Sequence, residues 1–429
     1  MTLLSACAPE KNRGSKATVT PTPRPSATPT PDSAPVMLAS QHGVIGNGIV
    51  DDSHALQSVL NTAAKLGATV VIDGGLRVRI GKTIAVPSNT KLNGGGSTLL
   101  NATPGTGGRI LTLTKVHDVT IDYINFDGEK DTHVTATEQR HNLVVAGSRN
   151  ITLDRMHSYN AKGDGLYIGD QISGASVNVN VSNSLFDENH RQGMSVTGVS
   201  GLSVTDCHFG TTAGTAPQSG ADIEPNSDDS VMEDIVFRNC SFMGNLGSGL
   251  LISLRKTPTA KQSAGTYIGC QFSQNKGSSG IVLVNSRDLK ILGGEIRRND
   301  RDGVAIFSAE NTSLSDVSVA GNGRAGVSTT WTFSDLTLKG CSFDGNGTAE
   351  KKTYFAIDCA PVKGNKASGL LVQNCKFKDM YGGIRTNAVT SRVTLTNNGF
   401  SDLKINKQLG DDKATRVDVG GTAIPEPRG

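Results

Sequence analysis

The chain has 429 residues, more than one ordinary domain requires, and its formal net charge is only +3. Because 42 basic residues are balanced by 39 acidic ones, the composition excludes the dense basic surface of a nucleic-acid-binding protein. The 51 glycines and the aromatic share of 4% favour many short strands and tight turns over packed helices.

The N-terminal segment predicts export. Residues 4–7 read Leu-Ser-Ala-Cys, which resembles a bacterial lipobox with Cys7 as the lipidated residue. Residues 1–17 are therefore interpreted as the remnant of a lipoprotein signal and the start of the mature chain, and the Pro/Thr-rich residues 18–35 as an extended linker. We expect a cell-surface lipoprotein, or an extracellular or periplasmic protein, that meets the membrane only through Cys7. The alternative is an ordinary disordered N-terminus without an anchor.

An amphipathic helix is predicted where the domain begins. Asp52 or Ser53 is a good N-cap, and an apolar stripe follows it at helical spacing. The stripe consists of Ala55, Leu56, Val59, Leu60, Ala63 and Ala64. Strands are predicted at residues 69–72 and near residues 84–92. Because the end of a solenoid exposes its core, we expect the helix to cap the N-terminal end.

The rest of the chain repeats two phrases, with a period of roughly 23 to 31 residues. The first phrase is a short strand, then a cysteine or its substitute, then x-Phe and an Asn-containing turn. Its phenylalanines are Phe186, Phe209, Phe242, Phe272, Phe343, Phe377 and Phe400, and its cysteines are Cys207, Cys240, Cys270, Cys341 and Cys375. The second phrase opens at Gly165, Gly193, Gly220, Gly249, Gly280, Gly303, Gly326 and Gly383, and its residues then alternate in polarity.

This repeat predicts an all-β fold, a parallel β-helix over residues 36–405. One turn cannot bury its own inner face, whereas stacked turns bury a continuous core. The phenylalanines should therefore stack inside the coil, with the cysteines as small buried thiols. Residues 406–429 are expected to form a polar C-terminal tail.

Two segments resemble the N-terminal cap of the pectate-lyase-like superfamily. They read GVIGNGIVDDSHALQ and VPSNTKLNGGGSTL. The resemblance implies a right-handed parallel β-helix from a secreted or surface protein of bacteria, and it is specific for fold but weak for reaction, since the superfamily includes lyases, polygalacturonases, tailspikes and alginate epimerases. The phrase QSGADIEPN also resembles one found in bacterial surface β-helix proteins. The paired aspartates of polygalacturonases and the Asp-Pro-His strand of alginate epimerases have no match here.

One rung carries two acids on what should be the outer face of the coil. Side chains alternate along a strand, so Asp222 and Glu224 should share that face with α-carbons about 7 Å apart. The neighbouring rungs, about 4.8 Å away, should bring further polar groups to the pair. The predicted catalytic residues are Asp222, Glu224, His190, Arg191 and Tyr167. The predicted substrate-binding residues are Lys162, Asp164, Gln192, Ser195, Asn226, Arg255 and Lys256.

These residue types suit cleavage of an acidic polysaccharide. In β-elimination, cations or a Ca²⁺ ion held by Asp222, Glu224 and Asp228 would neutralise a uronate. A base such as His190, Arg191 or Lys162 would take the C5 proton, and Tyr167 would serve as the acid. Lysis is favoured because Lys162, Arg191, Arg255 and Lys256 should surround the acids. The alternatives are a glycoside hydrolase that uses Asp222 and Glu224 as an acid/base pair, a uronate epimerase, and a non-catalytic glycan-binding or structural surface protein. Oligomeric state is left open.

Overall fold

A computed structural model describes residues 34–169, 174–350, 353–362 and 364–409, and the backbone of Arg416–Asp418. The coil lies in the unit Pro35–Gly429. Cys7, residues 1–17, most of the predicted linker 18–35 and most of the predicted tail lie outside the described residues.

The strands form three parallel ladders, here named sheets A, B and C, which wind into about 13 right-handed turns. Sheet A contains Ile84–Ala85, Leu111–Thr114, Leu143–Ala146, Asp164–Gly169, Gln192–Val196, Ala221–Ile223, Leu250–Ser253, Ile281–Val284 and Phe355–Cys359. Sheet B contains Val36–Leu38, Thr69–Val71, Lys91–Asn93, Ser176–Ser182, Val199–Thr205, Met232–Arg238, Thr266–Ile268, Ser286–Arg287, Lys290–Leu292, Ala367–Gln373, Thr390–Thr396 and Arg416–Asp418. Sheet C contains Asn47–Asp51, Arg77–Ile80, Thr98–Asn101, Leu185–Asp187, His208–Gly210, Ser241–Met243, Gln271–Ser273, Glu295–Arg297, Ser318–Ala320 and Ser342–Asp344.

Six long strands bend around a corner of the coil and belong to two sheets each. Val304–Ser315 and Val327–Lys339 join sheets A and B, His117–Asp127 and Arg149–Tyr159 join B and C, and Lys376–Thr386 and Gly399–Gln408 join C and A. The predicted boundary at residue 405 falls inside the last of these strands. Arg416–Asp418 also pairs with sheet B, so part of the predicted tail continues the coil.

The interior is a set of like-on-like stacks, as the repeat predicts. Phe186, Phe209, Phe242 and Phe272 lie in register, with neighbouring ring centroids 5.1, 5.1 and 4.8 Å apart. Among the described residues the free, buried cysteines are Cys207, Cys240, Cys270, Cys341, Cys359 and Cys375. Offset-stacked rings bury large apolar area in one direction, which holds successive turns in a single register.

A buried asparagine stack satisfies the turns between sheets C and A. It contains Asn245, Asn275, Asn299, Asn322 and Asn346. The amide Nδ2 of Asn275 donates to Asn299 Oδ1 at 2.9 Å and to the Phe242 carbonyl at 3.2 Å. Its own Oδ1 accepts from the backbone and side-chain nitrogens of Asn245 at 3.2 and 3.0 Å. Each amide therefore serves two turns at once, which explains why an asparagine follows the phenylalanine in so many repeats.

The helix Ser53–Leu66 follows a short 3₁₀ helix, Ala39–His42, and is the one α-helix of the described residues. Its buried residues Leu56, Val59, Leu60 and Ala63 join the core of the coil. Asp52 occupies the N-cap position, but its carboxylate accepts from the Ile45 and Gly46 amides at 2.7 and 3.0 Å instead of from the helix. No helix in the described part of the chain has the length and apolar character needed to cross a membrane.

Replacing one amide of the asparagine stack should lower stability sharply. We expect Asn275→Ala to reduce the free energy of unfolding by about 2–5 kcal/mol, because several buried partners lose their hydrogen bonds together. Urea titration followed by circular dichroism measures the change. Lys276→Ala, an exposed position in the same turn, is the matched control and should shift the midpoint little. Equal midpoints for the two variants would contradict a structural role for the stack.

Candidate functional site

A buried charged cluster lies on sheet A. Asp164 is fully buried, and Nη1 of Arg191 lies 3.2 Å from each of its carboxylate oxygens. Nη1 also donates to Ser195 Oγ at 3.4 Å, and Nε lies 3.4 Å from Glu138. Burial raises the pKa of Asp164, but the charges of His141 and Arg191 outweigh it, and the net pKa is lowered. Burial lowers the pKa of Arg191, but Asp164, Asp222 and Glu138 raise it overall. Arg191 therefore keeps its proton, which argues against its use as a base.

His141 belongs to the same cluster and was missed from the sequence. Its Nδ1 lies 3.2 Å from Asp164 Oδ2 and 3.1 Å from the Asp164 backbone nitrogen. Its ring stacks on Tyr167 with centroids 4.8 Å apart. Because Leu143 pairs with Leu166, the same offset places His141 beside Asp164. Aligning the HNLVV phrase with the next rung would therefore have revealed it.

Tyr167, Ser195 and Asp222 form one column across three adjacent rungs. The Tyr167 hydroxyl lies 3.0 Å from Thr197 Oγ1 and accepts from Asn226 Nδ2 at 3.3 Å. Tyr167 is half-buried and Asn226 is exposed, so the hydroxyl lies at the edge of the cluster and close to solvent. The role of Tyr167 as the acid stays a prediction.

Asp222 and Glu224 form a carboxyl pair with unequal surroundings. Asp222 is only 1% exposed, whereas Glu224 is exposed. Gln192 Nε2 donates to Asp222 Oδ2 at 2.9 Å, while Oδ1 is buried without a donor. Burial raises the pKa of Asp222 well above its usual value, and the contact with the Glu224 carboxyl raises it further. A proton on Asp222 would satisfy Oδ1, and the raised pKa of Asp222 favours that protonated form.

His190 and Lys162 lie together on one side of this cluster. Within the described chain, the charges that act on His190 come from Lys162, Lys130 and Asp131, and the His190 ring lies against Gly214. Burial and the two lysines lower the pKa of His190, so the ring is neutral near pH 7. No contact joins it to Asp222 or Glu224 in the described residues, although the sequence had placed all three together.

On the other side, Glu224 opens into a groove of about 300 Å³, here named the first groove. Asp228, Arg255 and Lys256 line it, and Arg255 Nε donates to Asp228 at 2.9 Å. The carboxylate of Asp228 is therefore paired with a cation instead of with Asp222 and Glu224. Among the residues that the structure describes, no three metal-ligating side chains come together, so the Ca²⁺ site at Asp222, Glu224 and Asp228 stays a prediction without geometric support.

Comparisons with known proteins agree with this architecture. A family model described as "right handed beta helix region" matches residues 106–278 and 279–410, and no curated protein sequence matches the chain. The A-modules of the mannuronan C-5 epimerases AlgE4 and AlgE6 of Azotobacter vinelandii are 15% and 16% identical, each with a TM-score of 0.60. They cover 89% and 91% of this chain, and 99% and 100% of their own. The Streptococcus pneumoniae surface protein and adhesin PfbA is 14% identical, with a TM-score of 0.57, over 88% of this chain and all of its own.

The raised pKa of Asp222 predicts a pH-dependent stability. The folded protein binds a proton between the unfolded pKa, near 3.8, and the higher folded pKa, so its stability falls as pH rises through that window. Asp222→Asn removes the titrating carboxyl and therefore this loss of stability. We expect its thermal midpoint to exceed that of the wild type at about pH 8, with the difference shrinking towards about pH 4. Differential scanning calorimetry at several pH values measures both proteins.

Asp302 provides a matched control for this measurement. Burial raises its pKa to about 6, and it lies three rungs further along the coil. Asp302→Asn should raise the midpoint above about pH 6 by the same reasoning, without touching the site. Parallel curves for wild type and Asp222→Asn would show that Asp222 is not protonated in the folded protein.

Proposed function

Because the chain belongs to the right handed beta helix family, whose coil is a scaffold for many different sites, we propose its function from the site itself: an enzyme that cleaves an acidic polysaccharide at Asp222, Glu224 and Tyr167. The observation that carries the proposal is the buried carboxyl of Asp222, whose pKa is raised by burial and by the exposed Glu224, in the same sheet column as Tyr167. A raised pKa alone does not mark a catalytic group, since Asp302 has one outside the site, but Asp222 differs because the exposed carboxyl of Glu224 acts on it and because it shares a column with Tyr167.

The reaction that we propose is β-elimination on a uronate. Retaining and inverting hydrolases hold their carboxyl groups about 5 to 9.5 Å apart, so that a glycosidic bond fits between them. The Glu224 carboxyl acts on Asp222 at short range, which favours a closer pairing than these geometries. Elimination has no such requirement, since a base and an acid can act on the same face of the sugar.

The groups can be assigned to the steps of elimination. Glu224 takes the C5 proton, the C5–H electron pair becomes the C4–C5 double bond, and the bond from C4 to the glycosidic oxygen breaks. Tyr167 gives its proton to the leaving oxygen and regains one from solvent. Arg255 and Lys256 in the first groove attract the carboxylate of the uronate, and Asp222 with Gln192 holds Glu224 in place. Glu224 therefore replaces His190, Arg191 and Lys162 as the proposed base.

A glycoside hydrolase is the second candidate. One observation favours it: burial raises the pKa of Asp222, as a general acid requires, while the neighbouring carboxyl of Glu224 is exposed and could serve as the base. For hydrolysis the substrate would have to separate the two carboxyls on binding.

Two further assignments support this reading of the chain. We infer that the helix Ser53–Leu66 caps the N-terminal end of the coil, because its apolar stripe joins the core there. We also infer that the protein is exported and anchored through Cys7, which the Pro/Thr-rich run after Cys7 supports.

Loss of activity in Glu224→Gln and Tyr167→Phe tests the proposal. Each change should lower kcat about 10²- to 10⁴-fold, because each removes one proton-transfer group. The assay follows the ultraviolet absorbance of unsaturated uronate together with new reducing ends, on polyuronates and on neutral glycans. Asp302→Asn, outside the site, should retain wild-type activity.

The pattern of signals separates the reactions. Elimination raises absorbance and reducing ends together, hydrolysis raises reducing ends alone, and epimerisation changes the sugar without either. Full activity in Glu224→Gln would move the chemistry away from this site. Binding of a glycan without any turnover would leave the chain a glycan-binding surface protein.

A further inference from the structure

A second groove of about 360 Å³ lies along the corner between sheets A and B. Lys256 and Asn285 line both grooves, so the two adjoin each other. Three cations line the second groove, Lys256, Arg287 and Lys366, against one carboxylate among its described lining residues, Glu310. Arg287 Nη2 donates to the carbonyls of Arg255 and, at 3.2 Å, Lys256, which fixes the segment that the grooves share. The lining therefore favours an anionic ligand.

An aromatic pair stands beside this second groove. The rings of Phe307 and Trp331 meet edge to face with centroids 5.3 Å apart, and Trp331 is 48% exposed. The ladder slips here, because Ile306 pairs with Thr329 but Ser308 pairs with Thr332. The strand Val327–Lys339 thus gains one residue in a bulge at Trp331, and bulges commonly redirect a side chain next to a functional site. Ser308 and Thr332, the residues after the two aromatics, both line the groove.

We propose that Trp331 and the second groove form a remote subsite for an acidic sugar of the chain that is cleaved at Glu224. Trp331 offers a flat apolar surface for the C–H face of a pyranose ring, while Lys366 and Arg287 bind its carboxylate. Four rungs separate Asp222 from the rung of Trp331, a distance of about 19 Å. A pyranose unit is comparable in length to one rung spacing, so a short oligosaccharide spans both sites. The choice of ligand rests on the proposed function.

The chain has a single tryptophan, so its fluorescence reports directly on this subsite. The full chain carrying Glu224→Gln is titrated with galacturonate and mannuronate hexamers, and with cellohexaose as the neutral control. We expect a saturable change of tryptophan emission with a uronate hexamer and none with cellohexaose. Lys366→Ala in the same background should raise the Kd about tenfold, because one charge-assisted hydrogen bond is lost. Lys290→Ala, an exposed lysine of sheet B outside both grooves, should leave the Kd unchanged.

Calorimetry on the same samples measures hexamer binding independently of tryptophan emission. Binding of a hexamer without a change in tryptophan emission would place the ligand elsewhere and overturn the subsite, as would the absence of binding of every hexamer. An equal response to cellohexaose would overturn the acidic ligand class. If wild-type protein cleaves no glycan but the uronate hexamers still alter tryptophan emission, the subsite stands and the proposed catalytic function fails.

Discussion

The fixed register between parallel rungs is the constraint on which the rest of the molecule depends. Strands at about 4.8 Å spacing bring each residue next to the residue one repeat earlier and one repeat later, so the coil stacks like on like. This stacking stabilises the phenylalanines, since their rings lie nearly parallel with centroids 4.8 to 5.1 Å apart. The asparagines are stabilised as well, because each side-chain amide donates a hydrogen bond to one neighbour and accepts one from another.

The same register brings polar side chains together in the buried part of sheet A, where an unpaired charge costs free energy. Asp164 lies beside Gln192, and Asp222 continues the column of Tyr167 and Ser195. Buried carboxylates need partners, and Asp164 finds them in Arg191 and His141. Asp222 accepts from Gln192 and feels the charge of Arg191, but burial and the like-charged Glu224 outweigh them and raise its pKa. The pKa values of the two aspartates are thus shifted in opposite directions although they lie on neighbouring parts of one sheet.

The departure from regular stacking on sheet A lies beside the grooves that we propose as the ligand-binding site. The coil is regular along sheet A until the bulge at Trp331, where the ladder slips and an aromatic ring turns outwards. Between this bulge and Glu224, the corner of sheets A and B is lined by two adjoining grooves that share Lys256 and Asn285. Under the proposed function, an extended ligand along the coil axis would contact the carboxyl pair, then the cations, then the aromatic pair.

The sequence by itself determined the fold, because the repeat records the stacking directly: the positions of the phenylalanines, cysteines and opening glycines fix which residues share a column. It also identified Asp222, Glu224, Tyr167, Asp164, Arg191 and Gln192 as neighbours, since adjacent rungs follow from the period. Only the tertiary structure decided that Asp222 is buried, that His141 joins the cluster and that the His190 ring lies against Gly214. Burial and charge depend on side chains from several turns packing together, and a periodic pattern gives the position of a residue but not the direction or depth of its side chain.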